Sequence, residues 1–214
     1  GEMSIQVTYT LRSGPALGIE YEAVCDQDTV VNLTNHAFFN LNGVGEGDIR
    51  NHRVRLWADR YLPVDDRLLP LGAPSPVAGT PFDFTAHAGK ESSSIGSRLG
   101  CEHPQIALAG GIDHNFCIDG EGLRPAARVS SPTSGIGMEC RSDQPGLQIY
   151  VGQGLNETAG KGGHTIGAYA GFCLETQHYP DSPRHPEYPT TFLPAGEVFH
   201  SYTEYRFFQE EANK

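Results

Sequence analysis

No stretch of this chain sustains a helical apolar period beyond about ten residues, whereas two-residue alternation recurs from one end to the other. Ile5, Val7, Tyr9 and Leu11 alternate with Gln6, Thr8 and Thr10. After a turn at Arg12, Ser13, Gly14 and Pro15, Ile19, Tyr21 and Ala23 alternate with Glu20 and Glu22. These two runs read as antiparallel neighbours. Further strands are expected over 29–33, 52–57, 111–118, 126–130, 136–141, 147–151, 171–177, 191–197 (a strand end and turn) and 198–208. Residues 77–84, with Pro81, suggest a short extended edge segment, because proline is tolerated at edges. Between these runs lie glycine- and proline-rich punctuations such as Ser131, Pro132, Thr133, Ser134 and Gly135, and Asp143, Gln144, Pro145 and Gly146. Residues 92–99 offer a short helix without a strong moment, and 42–47 and 156–167 read as glycine-rich surface loops. Many short strands separated by turn signals predict an all-β, antiparallel β-sandwich. One domain is expected over 1–209, followed by a polar tail over 210–214.

Composition limits the function classes. Of 214 residues, 26 are acidic and 15 basic, for a net charge of −11, and no basic cluster interrupts that balance. Binding to nucleic acid or to an anionic membrane surface is therefore disfavoured. No apolar run reaches the length of a membrane span, and the opening residues do not have the pattern of a signal peptide. Cys25, Cys101, Cys117, Cys140 and Cys173 are odd in number and widely spaced. Free thiols in a reducing compartment, the cytoplasm, are the expectation.

The chemistry is best sought on the strand over 171–177. Its alternation puts Phe172, Leu174 and Thr176 on one face and Cys173, Glu175 and Gln177 on the other. A carboxylate inside an apolar strand is costly without partners or a task. Two other polar residues occupy comparable settings. His36 follows a strand and precedes Phe38 and Phe39, and Asp113 follows two glycines at the start of a strand. Each also has a plain structural explanation: a surface glutamate, a core histidine, an aspartate satisfying turn amides. Gln148 and Tyr150 alternate with Leu147 and Ile149 and read equally well as a solvent face. A histidine with a carboxylate supplies both halves of acid–base chemistry near neutral pH. There is no serine nucleophile elbow, phosphate-cradling loop, dinucleotide fingerprint or zinc spacing. The residues alone thus leave a neutral-ligand β-sandwich with a candidate His36/Glu175 pair.

Several blocks resemble the aldose 1-epimerase (galactose mutarotase) family. They are Thr34-Asn35-His36 with Phe39-Asn40-Leu41, then Asp59-x-Tyr61-x-Pro63-Val64-Asp65, and Val77 to Phe84. Gly111-Ile112-Asp113-His114-Asn115-Phe116, Pro145 to Tyr150, Leu174-Glu175-Thr176-Gln177 and Pro180-Asp181-Ser182-Pro183 follow. Leu193-Pro194-x-Gly196-Glu197 and the Tyr202-x-x-Tyr205 strand complete the series, in order and over nearly the whole chain. The resemblance implies a large antiparallel β-sandwich and interconversion of the α and β anomers of a free aldohexose, with no cofactor and no metal. It implies Glu175 as general base and His36 as general acid. It assigns Asp113 and Gln148 to the sugar, with Asn35 and His114 adjacent. It also implies a further upstream part of the sandwich, including an arginine and a second histidine, that residues 1–35 do not match. The expected partner beyond the sugar is that N-terminal portion or a second copy of the chain. A non-catalytic carbohydrate-binding domain is the alternative.

Overall fold

The computed structural model describes residues 1–85, 92–156 and 158–210. Residues 211–214 of the expected polar tail lie outside the described residues. In chain order the first strands are β1 (Met3–Arg12), β2 (Ala16–Cys25), β3 (Thr29–Val30), β4 (Phe38–Phe39), β5 (Arg53–Leu56), β6 (Arg60–Tyr61), β7 (Ser75–Pro76) and β8 (Ser93–Ser94). Two short helices follow, α1 (Ile95–Leu99) and α2 (Pro104–Ala109). The remaining strands are β9 (Asp113–Cys117), β10 (Arg124–Ser130), β11 (Ile136–Ser142), β12 (Gly146–Tyr150), β13 (Thr158–Ala159), β14 (Thr165–Ile166), β15 (Phe172–Gln177), β16 (Phe192–Leu193) and β17 (Val198–Gln209).

Two antiparallel sheets make the sandwich. One runs β1-β2-β17-β11-β10-β5-β8 and the other β4-β15-β12-β9-β6-β7. Their facing apolar side chains form one core. Tyr21, Val54, Val129, Met138 and Tyr205 come from the first sheet, and Phe116, Leu147, Ile149, Phe172 and Leu174 from the second. Each fully buried Leu or Phe contributes about 1.5–3 kcal/mol relative to exposure. Two polar pairs cross between the layers. The Tyr205 hydroxyl donates to the Leu174 carbonyl across the sheets at 2.7 Å, and Thr176 bonds Thr203 through their hydroxyls. Thus β15 is buried along its whole length, which makes it a rigid mount for whatever its second face carries.

The alternation over 4–11 and 18–24 forms the predicted β1/β2 pair, in register from Met3↔Cys25 to Arg12↔Ala16. Tyr21 and Ala23 of β2 are buried, but β1 is not. Ile5, Val7, Tyr9 and Leu11 remain exposed, Leu11 at 84%. Such an apolar edge strand is a surface that other protein normally covers. Among the described residues no helix is long and apolar enough to cross a membrane.

Three local expectations are corrected. Residues 77–84 form successive turns instead of an edge strand. Thr80 Oγ1 donates to Val77 O at 2.7 Å and accepts from Phe82 N at 3.1 Å, and the turns turn Val77, Phe82 and Phe84 into the core. The true edge pair is Ser75–Pro76, immediately before. The helix expected over 92–99 begins only at Ile95, where Ser94 caps it by accepting from Ser97 N. The third strand, expected over 29–33, is confined to Thr29–Val30. Helix α2 was not foreseen. It has proline in its first turn and ends on Gly110 at φ 65°, the usual asymmetry of helix ends, but six residues are too few to show a helical period. The loop expected over 156–167 contains the small β13/β14 hairpin.

Candidate active site

Register explains how the site forms. In the second sheet Gln148 pairs with Glu175 on one side and Asn115 on the other, while Tyr150 pairs with Asp113. Paired residues of neighbouring strands share a face. Glu175, Gln148 and Asp113 therefore stand on the outer face, with Leu174, Leu147, Ile149 and His114 turned into the core. Beyond β15, β4 pairs Phe38 with Cys173. That short pairing carries His36, two residues upstream, over the same face.

The result is a cleft of about 440 Å³ lined by His36, Leu68, Asp113, Gln148, Tyr150, Glu175, Gln177 and Pro180. His36 Nε2 lies 3.3 Å from Glu175 Oε1. Gln148 Nε2 donates to Asp113 Oδ1 at 2.7 Å, orienting that carboxylate. The His36 ring packs beside Phe38 and Tyr150, with centroids 5.0 and 6.1 Å away. Glu175 is buried while half of the His36 side chain is open to solvent. Burial pushes the Glu175 carboxyl up to about 7; His36 opposes this and the Asp113 carboxylate adds to it. A base poised near neutrality, against a histidine open to the cleft, suits proton transfer in both directions.

Glu175, His36, Asp113 and Gln148 thus meet in one cleft. Asn35 does not join them. It points beneath the sheet, where its Oδ1 lies 3.0 Å from the Tyr205 hydroxyl in a contact between layers. His114 is fully buried on the core face. Its Nε2 lies 3.1 Å from Gln105 Oε1, and its Nδ1 accepts from Asp113 N at 3.2 Å. Burial pushes it down to about 4, so it is a neutral support for the start of β9. Gln177, Tyr150, Leu68 and Pro180 were not foreseen as lining. The alternation that selected Glu175 and Gln148 also points to Gln177 and Tyr150, whereas Leu68, at φ 61° in a distant loop, has no such signal.

Other readings are weaker. A larger cavity of about 520 Å³ lies between the 42–47 loop and the β13/β14 hairpin, but among the described residues its titratable lining is Asp48 and Lys161 alone. His36, Cys173 and Glu175 bring a nitrogen, a sulfur and an oxygen within 4.8 Å of one another, a donor set that zinc accepts. The ring's two nitrogens face different partners, however: Nε2 faces Glu175 and Nδ1 faces Cys173 Sγ at 3.3 Å. Neither nitrogen is aimed at both.

The family described as aldose 1-epimerase matches residues 1–206. The chain is 41% identical over 209 residues to a galactose mutarotase of Rattus norvegicus, covering 97% of this chain and 58% of the rat protein. It is 36% identical to an aldose 1-epimerase of Escherichia coli K12, covering 98% of this chain and 60% of that protein. The structure of a galactose 1-epimerase from Lactobacillus acidophilus superimposes with a TM-score of 0.84 at 30% identity, over 98% of this chain and 58% of that one. The chain therefore spans about three-fifths of the length of these relatives. With a match along residues 1–206 and the sandwich that goes with it, the chain belongs to the aldose 1-epimerase family.

Proposed function

We propose that this cleft interconverts the α and β anomers of a free aldohexose, galactose or glucose. The observation that carries the reading is the 3.3 Å pairing of buried Glu175 with cleft-facing His36. The anomeric hydroxyl and the ring oxygen of a cyclic hemiacetal are both bonded to C1, so two adjoining residues reach both. Glu175 takes the proton from the C1 hydroxyl as His36 gives one to the ring oxygen. The C1–O bond of the ring opens to an aldehyde. Rotation about C1–C2 turns the other carbonyl face to the C5 hydroxyl, and closure with the two residues in exchanged roles gives the other anomer. The cycle is redox-neutral and returns both residues to their starting protonation. Asp113, oriented by Gln148, holds sugar hydroxyls. Each acid–base group contributes about 10²–10⁴-fold in rate.

The names of the similar proteins support this reading, and the acid–base pair favours it over a pure sugar-binding domain, which needs hydroxyl partners only. The five unpaired cysteines support the cytoplasm as its compartment. The exposed apolar side chains of β1 support cover by a further N-terminal portion or by a second copy. By itself the chain should then be a weak catalyst. Polarimetry of fresh α-D-galactose and α-D-glucose tests this, with Glu175→Gln as control and a longer chain carrying the additional region of the relatives as comparison. Relaxation faster than buffer, dependent on Glu175, is expected, and greater in the longer chain. No acceleration by either chain, with sugar still bound, would select the binding-domain reading.

A further inference from the structure

Strand alternation sets Cys173 and Glu175 side by side on the outer face of β15, beneath opposite edges of one imidazole. Glu175 Oε1 faces His36 Nε2 at 3.3 Å, and Cys173 Sγ faces Nδ1 at 3.3 Å. Cys173 is completely buried. Burial, with the Glu175 and Asp113 carboxylates nearby, raises its thiol far above the ordinary range, so it stays protonated. A protonated thiol is a weak donor, and His36 Nδ1, at 3.3 Å, is a side-chain acceptor within its reach. A neutral imidazole has one donor and one acceptor nitrogen. If Nδ1 accepts from the thiol, the ring proton is on Nε2, facing the cleft. The opposite tautomer would direct the Nε2 lone pair at the Glu175 carboxylate whenever that group is ionised, setting two acceptors 3.3 Å apart.

We propose that Cys173 is a positioning residue: its thiol donates to His36 Nδ1 and so fixes the tautomer that holds a proton on Nε2, ready for the ring oxygen of the sugar. The catalytic value of this tautomer rests on the acid role of His36 given above; the tautomer itself does not. Half of the His36 side chain is open to solvent, and one edge of the ring faces a carboxylate. The Glu175 carboxylate favours the same tautomer, so the thiol's own effect is read where that carboxylate is absent, in Glu175→Gln; there, without the thiol, water at Nδ1 would allow both tautomers.

The test is long-range ¹H–¹⁵N correlation of histidine-labelled protein above the Glu175 transition, at about pH 8.5. The expected spectrum has Nδ1 as the unprotonated and Nε2 as the protonated nitrogen of His36. Cys173→Ser, which keeps a donor, preserves that pattern. In a Glu175→Gln background, where no carboxylate faces Nε2, Cys173→Val, similar in size and favourable in a strand, gives a mixture of tautomers, with amide dispersion checking that the fold is intact. In whichever chain accelerates mutarotation, the single valine variant lowers kcat in proportion to the fraction of His36 in the wrong tautomer, about twofold at most for an even mixture, with little change in KM, and serine restores most of it. A wild-type Nδ1–H tautomer, or a Glu175→Gln, Cys173→Val double variant with an unchanged pattern, would overturn the proposal. Because the spectrum needs no turnover, an inactive protein with the expected pattern would count against the acid role of His36 and leave the tautomer assignment standing.

Discussion

Replacing Glu175 by Gln should make the protein more stable above neutral pH, while removing its base. The carboxyl is pushed from 4.5 to about 7 by burial in the cleft floor. A raised carboxylate pKa means that, between those two values, the folded state holds a proton that the unfolded state has lost. Stability then falls as pH rises through that window, by the linkage relation. The full shift corresponds to about 3 kcal/mol at 1.36 kcal/mol per unit. The cleft is open to water, which screens the charge and reduces this to roughly half, about 1–2 kcal/mol. Gln keeps the shape and cannot ionise. The measurement is urea unfolding of wild type and variant at several pH values from about 5 to 8.5. The stability difference, variant minus wild type, should grow by about 1–2 kcal/mol across that range and level off above the Glu175 transition. Effects of titrating groups remote from Glu175 cancel in the difference. A difference that stays flat with pH, or one that shrinks as pH rises, would show that burial does not dominate the Glu175 environment.

Three further outcomes follow from the geometry. His52 and His114 are buried and both pushed down to about 4; the unfolded chain takes up their protons first, so stability present above about pH 6.5 should decline toward pH 4 in thermal melts, and His114→Gln should flatten that decline. Tyr205→Phe removes the hydroxyl that donates to Leu174 O across the sheets and should cost about 1–2 kcal/mol in urea unfolding, with no change in the pH at which Glu175 titrates. Asn35→Ala should leave sugar affinity by calorimetry close to wild type, because Asn35 faces Tyr205, whereas Gln148→Ala should weaken it by about tenfold, the loss of roughly one well-made hydrogen bond.

Alternation along the chain was enough to locate the longer strands and the faces of β2, β12 and β15. It placed Cys173, Glu175 and Gln177 together and turned Phe172, Leu174 and Thr176 away, because side-chain direction in a strand is a local property of period two. The β1/β2 pairing was legible for the same reason, with a turn between two matching runs. The blocks shared with aldose 1-epimerases added roles to His36, Asp113 and Gln148 that no pattern supplied. Tertiary structure alone decided which of these residues meet. His36 and Glu175 are distant in sequence and come together only because β4 pairs with β15. Asp113 and Gln148 converge only through the β9/β12/β15 register. The inward turn of Asn35, the arrival of Leu68 at the cleft and the thiol beneath the His36 ring were likewise invisible, since each depends on long-range contact. The pKa of Glu175 belongs with them: the sequence supplies a carboxyl, and only the packed sheet removes enough water to bring it near neutrality.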